Sequence, residues 1–121
     1  MNLLGNVGLL PGWAETRCAR RVSQGALAVL RREQAARPEL SGAALYAAVV
    51  AAYANIDPKD AAGIVRKAGE SFADWPNWRD MTFRDVVSYV AIAEYMRSHP
   101  GRRGTNTNMR SVVAQIIPAD L

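Results

Sequence analysis

Apolar side chains recur along this chain every three to four positions, the spacing that gathers them on one side of an α-helix. Between Ala14 and Ala36, at about 100° per residue, Cys18, Ala19, Val22, Ala26, Val29 and Leu30 fall on one side. Arg17, Arg20, Arg21, Gln24, Arg31 and Arg32 fall on the other. This first helix must end before Pro38, because a proline ring disfavours helical backbone at the residue preceding it, here Arg37. A second helix starts between Pro38 and Ser41, with Ser41 as one candidate N-cap, and runs to Ala54. Leu45, Val49, Ala52 and Tyr53 form its larger side, but alanine surrounds its axis, so the pattern predicts a central position for it.

The third helix has the clearest start. Asp57 is placed to cap it, Pro58 to occupy its first position and Asp60 its first turn, near the positive end of the helix dipole. Ala61, Val65, Ala68 and Phe72 form its apolar side, and the helix stops before Trp75-Pro76-Asn77-Trp78. A fourth begins at Thr82, where Thr82 and Asp85 are spaced as a capping box and Met81 and Val86 as a hydrophobic staple. Its predicted core side is Phe83, Val86, Val87, Val90, Ala93 and Met96, and Pro100-Gly101 terminates it. A short fifth helix from about Thr107 to Ile117 turns Val112, Val113, Ile116 and Ile117 inward. No segment alternates with period two between turn signals, so no sheet is expected.

The fold class predicted is all-α: a compact array of four to five helices with short connections, the alanine-rich second helix central. A chain of 121 residues fits one domain, with residues 1–12 as an irregular opening segment. That opening is apolar but has no basic stretch, and Asn6 and three glycines interrupt it, so it does not read as a secretory signal. The longest uncharged run, Leu40 to Ile56, holds Ser41, Gly42, Tyr46, Tyr53 and Asn55, which favours a buried helix over a membrane span. A lone Cys18 excludes an internal disulfide and a multi-cysteine zinc site, and fits a reducing, cytoplasmic setting. No cofactor or metal is expected.

Charge changes this picture, because it is unevenly spread. Ala14 to Arg37 holds six arginines against Glu15 and Glu33; Asp57 to Glu94 holds seven acids against five bases; Arg97 to Leu121 holds four arginines against Asp120. Arg17, Arg20, Arg21, Arg31 and Arg32 share about a third of the first helix's circumference, with both of its glutamates off that side. Such a side fits an anionic partner, since the planar guanidinium donates paired hydrogen bonds to phosphate or carboxylate. The plainer alternative is a solvated side, or one paired with acids of the middle segment.

A second anion candidate is the Gly-containing loop with Arg102 and Arg103 ahead of the fifth helix, although it lacks the Gly-Lys-Ser/Thr ending of a phosphate-binding loop. Trp75 and Trp78, flanking Pro76, are candidate partner-binding anchors or, more plainly, lids on a core short of large side chains; Trp13 invites the same pair of readings. Catalysis finds little support. His99 is the sole histidine and sits at a helix end, while Cys18 falls on an apolar side where an inert thiol is expected.

The function expected is a non-enzymatic module for protein–protein interaction or self-association. The alternatives are nucleic-acid or polyanion binding through the first helix's arginines and, third, a small enzyme or small-molecule binder. No membrane partner is expected.

Overall fold

The computed structural model describes residues 12–71, 81–101 and 106–121. Five helices account for most of them: α1 (Trp13–Ala36), α2 (Gly42–Ala54), α3 (Pro58–Ser71), α4 (Phe83–Ser98) and α5 (Asn106–Ile116). No strand occurs among the described residues.

Local chemistry sets the helix ends. Gly12 enters α1 at φ 80°, a left-handed conformation that glycine adopts without steric cost. Pro38 closes α1, leaving Arg37 as C-cap with its N–H donating to the Glu33 carbonyl. Ser41 is extended and α2 begins at Gly42, while Asn55 ends α2 at φ 55°, where asparagine is one of the few other residues tolerated. The Asp57 carboxylate accepts the Lys59 N–H at 2.8 Å, satisfying a first-turn donor of α3. At α4 the capping box is complete. Thr82 Oγ1 accepts from the Asp85 N–H at 3.4 Å, and Asp85 Oδ2 accepts the Thr82 N–H at 2.9 Å.

α1 is the hub. It packs against α2, α4 and α5, while α3 lies against α2 and α4, and α4 also meets α5. The main core joins Cys18, Val22, Ala26 and Leu30 of α1 to Leu45 and Val49 of α2, Phe83, Val87, Ala91 and Tyr95 of α4, and Met109 and Val113 of α5. A smaller cluster, Val50, Ala61, Val65, Ala68 and Val86, fills the seam between α2, α3 and α4. Arg84 ties the chain's end to the start of α4: its Nε donates to the Ile117 carbonyl at 2.6 Å and its Nη2 to the Ala114 carbonyl at 2.9 Å. Both acceptors are carbonyls that the end of α5 leaves without helical partners.

Three expectations shift. The centre belongs to α1 and α4, since α2 leaves Ala43, Ala44, Ala52 and Ala54 exposed. Within α2, Val50 is buried in place of Ala52. In the second half of α4, Ala91 and Tyr95 are buried, Ala93 is half-buried and Met96 is 51% exposed. The cause is that α4 serves α3 on one flank and α1 with α5 on another, so its buried arc rotates towards α1 as it proceeds. Phe72 lies outside the described residues.

Candidate functional site

The arginine side of α1 points away from the core, and its members divide into two groups. Arg21, itself exposed, is tied within the chain: its Nη1 donates to Glu94 Oε1 of α4 at 2.9 Å, and its Nη2 lies 3.8 Å from Cys18 Sγ. The hydrogen bond and charge of Glu94 push the Arg21 guanidinium further above its ordinary range. Arg17, Arg20, Arg31 and Arg32 are exposed, and none forms an ion pair among the described residues. Arg37, by contrast, is matched to Glu33 at 2.8 Å, and Arg110 to Asp85 at 3.7 Å. Among the described residues, therefore, only one of the five arginines meets an acid of the middle segment.

Trp13 joins this side. It is one of two large apolar side chains exposed among the described residues, and the Arg17 guanidinium sits 5.2 Å from its ring centroid. That distance is within cation–π range. The i, i+4 spacing of Trp13 and Arg17 was the available sequence signal, and it emerges only when aromatics are plotted together with the charges. Glu15, on the opposite side of the helix, is 8% exposed, and its Oε2 has no hydrogen-bond partner. It lies in the first turn, where the helix dipole favours negative charge. Arg102, Arg103, Trp75 and Trp78 lie outside the described residues.

Cys18, Arg21, Tyr53 and Glu94 form a polar seam beside the core. Burial, and secondarily the Glu94 charge, raises the Cys18 thiol above its ordinary 9.0. Burial raises the Tyr53 phenol above 10.0, again with help from Glu94. Cys18 Sγ donates to the Ala91 carbonyl at 3.5 Å. A buried thiol that holds its proton more tightly is a weaker nucleophile. His99 caps the end of α4, stacked on Tyr95 with ring centroids 4.4 Å apart and its Nδ1 3.1 Å from the Tyr95 carbonyl. Among the described residues, no three His, Cys, Asp or Glu side chains gather as metal ligands. No helix of the described residues is long and apolar enough to cross a membrane.

The outer side of α2 is the second distinctive surface. The helix, Gly-Ala-Ala-Leu-Tyr-Ala-Ala-Val-Val-Ala-Ala-Tyr-Ala, carries no charge. An apolar groove of about 470 Å³ runs along it, floored by Ala44, Ala47, Ala48, Ala51 and Ala52, with Arg37 and Leu40 before the helix and Pro58 after it. Comparison with protein-family models, curated proteins and solved structures finds no match to the chain.

Proposed function

We propose that this protein is a non-enzymatic interaction module whose partner is a second copy of itself, docked on the alanine side of α2. The uncharged α2 floor of the groove carries this reading. A helix side meant only for water tolerates Lys, Arg and Glu at no cost, and α1 and α3 are decorated in that way; α2 is not. Alanine side chains also let two helix backbones approach closely, at the short end of the usual 8–10 Å interaxial range.

Charge at the ends of the groove suits a two-fold, antiparallel pair. Arg37 and Glu39 precede α2, whereas Asp57, Lys59 and Asp60 follow it. Antiparallel packing sets each end against its opposite in the second copy, bringing Glu39 towards Lys59. A two-fold interface of this kind uses the same patch on both chains. Thirteen residues of helix span about 20 Å, so the interface is small and the dimer weak, forming at micromolar concentrations and above. The single buried thiol supports a reducing, cytoplasmic setting for this module.

Light scattering behind size-exclusion chromatography tests the reading across a concentration series. The chain should shift from monomer towards dimer, and Ala48→Arg, in the middle of the groove, should hold it monomeric with an unchanged helical circular dichroism spectrum. A wild-type chain that stays monomeric at millimolar concentration overturns it.

A further inference from the structure

We infer that the Trp13–Arg32 side of α1 binds single-stranded nucleic acid, with phosphates on Arg17, Arg20, Arg31 and Arg32 and a base stacked on Trp13. This surface is separate from the α2 groove, and the inference does not depend on pairing. Its first support is the charge. Four exposed guanidinium groups without an acidic partner among the described residues lie on one side of one helix. From Arg17 to Arg32 they extend along roughly 22 Å of axis. They fall into two pairs, Arg17 with Arg20 and Arg31 with Arg32, separated by uncharged Gln24 and Ala28. Both acids of the helix are turned away, Glu15 into the interior and Glu33 onto Arg37.

The second support is aromatic. Trp13 is 37% exposed and in line with Arg20 and Arg31 at helical spacing. The Arg17 guanidinium, 5.2 Å from its ring centroid, sets a positive charge beside the aromatic group at the end of the basic stripe. Interleaved aromatic and cationic side chains are the means by which unpaired strands are bound without sequence preference: every base has a face to stack, and every nucleotide a phosphate. A duplex keeps its bases stacked on one another and gains nothing from Trp13. An acidic membrane surface fits less well, because the apolar side of α1 is spent in the core and, among the described residues, Trp13 is the sole large apolar group on this side to insert.

Fluorescence anisotropy with a labelled 20-nucleotide oligothymidine, and with a duplex of the same length, tests this. Binding to the single strand should be tighter than to the duplex. With four phosphate contacts it should weaken about fifty-fold between 50 and 200 mM salt, since each contact contributes a slope of about −0.7 in log affinity against log salt. Arg17→Ala/Arg20→Ala should halve that slope. Trp13→Ala should weaken single-strand binding about tenfold at unchanged slope, and Trp13→Phe should retain most of it. Arg66→Ala, on exposed α3, should change nothing, and circular dichroism should show every variant as helical as wild type. Four results would overturn the inference: no binding at 50 mM salt, an equal loss in Arg66→Ala, indifference to Trp13→Ala, or binding to phosphatidylserine vesicles but not to the oligonucleotide.

Discussion

The outer sides of α1 and α2 meet the same solvent with opposite surfaces. α1 shows Arg17, Arg20, Arg31 and Arg32; α2 shows Ala43, Ala44, Ala52 and Ala54. Their inner sides are alike, both feeding Leu and Val into one core. Burial of the inner side thus makes each helix part of the fold, and the outer side is left to set what the molecule meets. Charge marks a surface unambiguously, because an unpaired guanidinium is too costly to bury. Alanine marks nothing, since it is tolerated in water and in cores alike. The same comparison explains why α1 can be the hub: its apolar arc is wide enough to receive α2, α4 and α5, and its charged arc leaves no doubt about where the arc ends.

Matched neighbours on the two helices give the largest expected contrast. Leu30 is 1% exposed and Leu45 is 6% exposed. Truncating either to alanine removes a buried isobutyl group and leaves a void, which costs about 2–5 kcal/mol. Their sequence neighbours Arg31 and Ala44 point outward, so Arg31→Ala and, at dilutions where the chain is monomeric, Ala44→Lys should each change stability by less than about 0.5 kcal/mol. Urea denaturation of the four variants checks this. If Arg31→Ala costs as much as Leu30→Ala, the division into inner and outer sides fails for α1; an equal cost for Ala44→Lys and Leu45→Ala breaks it for α2.

A smaller effect sharpens the seam where the two helices touch. A Cβ placed on Gly25 would stand 2.7 Å from Tyr53 Cε1, a separation that real side chains do not occupy. Glycine inside a helix ordinarily loses about 1 kcal/mol relative to alanine, so its presence in α1 is explained by the tyrosine ring of α2 lying on it. Gly25→Ala should therefore lower stability by about 1 kcal/mol, overpacking outweighing the propensity gain. In a Tyr53→Ala background the same change should raise stability by up to about 1 kcal/mol. A double-mutant cycle in urea reads this reversal of sign, and additive effects would mean that Tyr53 does not set the spacing of α1 and α2.

Much of this was legible in the chain because it is local. The stops at Pro38, the Asp57-Pro58 start and the Thr82–Asp85 box each depend on residues within one turn of each other, and the structure places helix ends at all three. The arginine side of α1 was legible because period and charge agreed. What escaped was long-range or unmarked. Arg21 and Glu94 are 73 positions apart, and nothing in either segment distinguishes Arg21 from its four unpaired neighbours. The outward side of α2 is not legible because alanine on every side gives no polar arc to orient it, and the pattern alone does not separate exposed Ala52 from buried Val50. A fixed period carried through α4 selects Met96 over Tyr95, because it ignores a helix that changes neighbours along its length.

Alkaline titration yields the smallest effect and separates the two helices by where it begins. Cys18 of α1 and Tyr46 and Tyr53 of α2 all have their ionisation raised, in each case chiefly by burial. An acid whose folded state holds its proton more tightly stabilises the fold below its unfolded pKa. As pH rises past that point the unfolded chain releases a proton that the folded chain keeps, and stability falls. The thiol's ordinary value is 9.0 and the phenols' is 10.0, so the fall should start with Cys18 and continue with the tyrosines. Thermal melts between pH 7.5 and 11 should show a declining Tm only above about pH 9. Cys18→Ala should delay that decline by roughly one pH unit, while Tyr53→Phe should flatten its later part and leave its onset in place. The order matters more than the size, because it assigns the earlier loss to the inner side of α1 and the later one to α2. A Tm that falls equally in wild type and in Cys18→Ala just above pH 9 would show that the thiol is not sealed between α1 and α4.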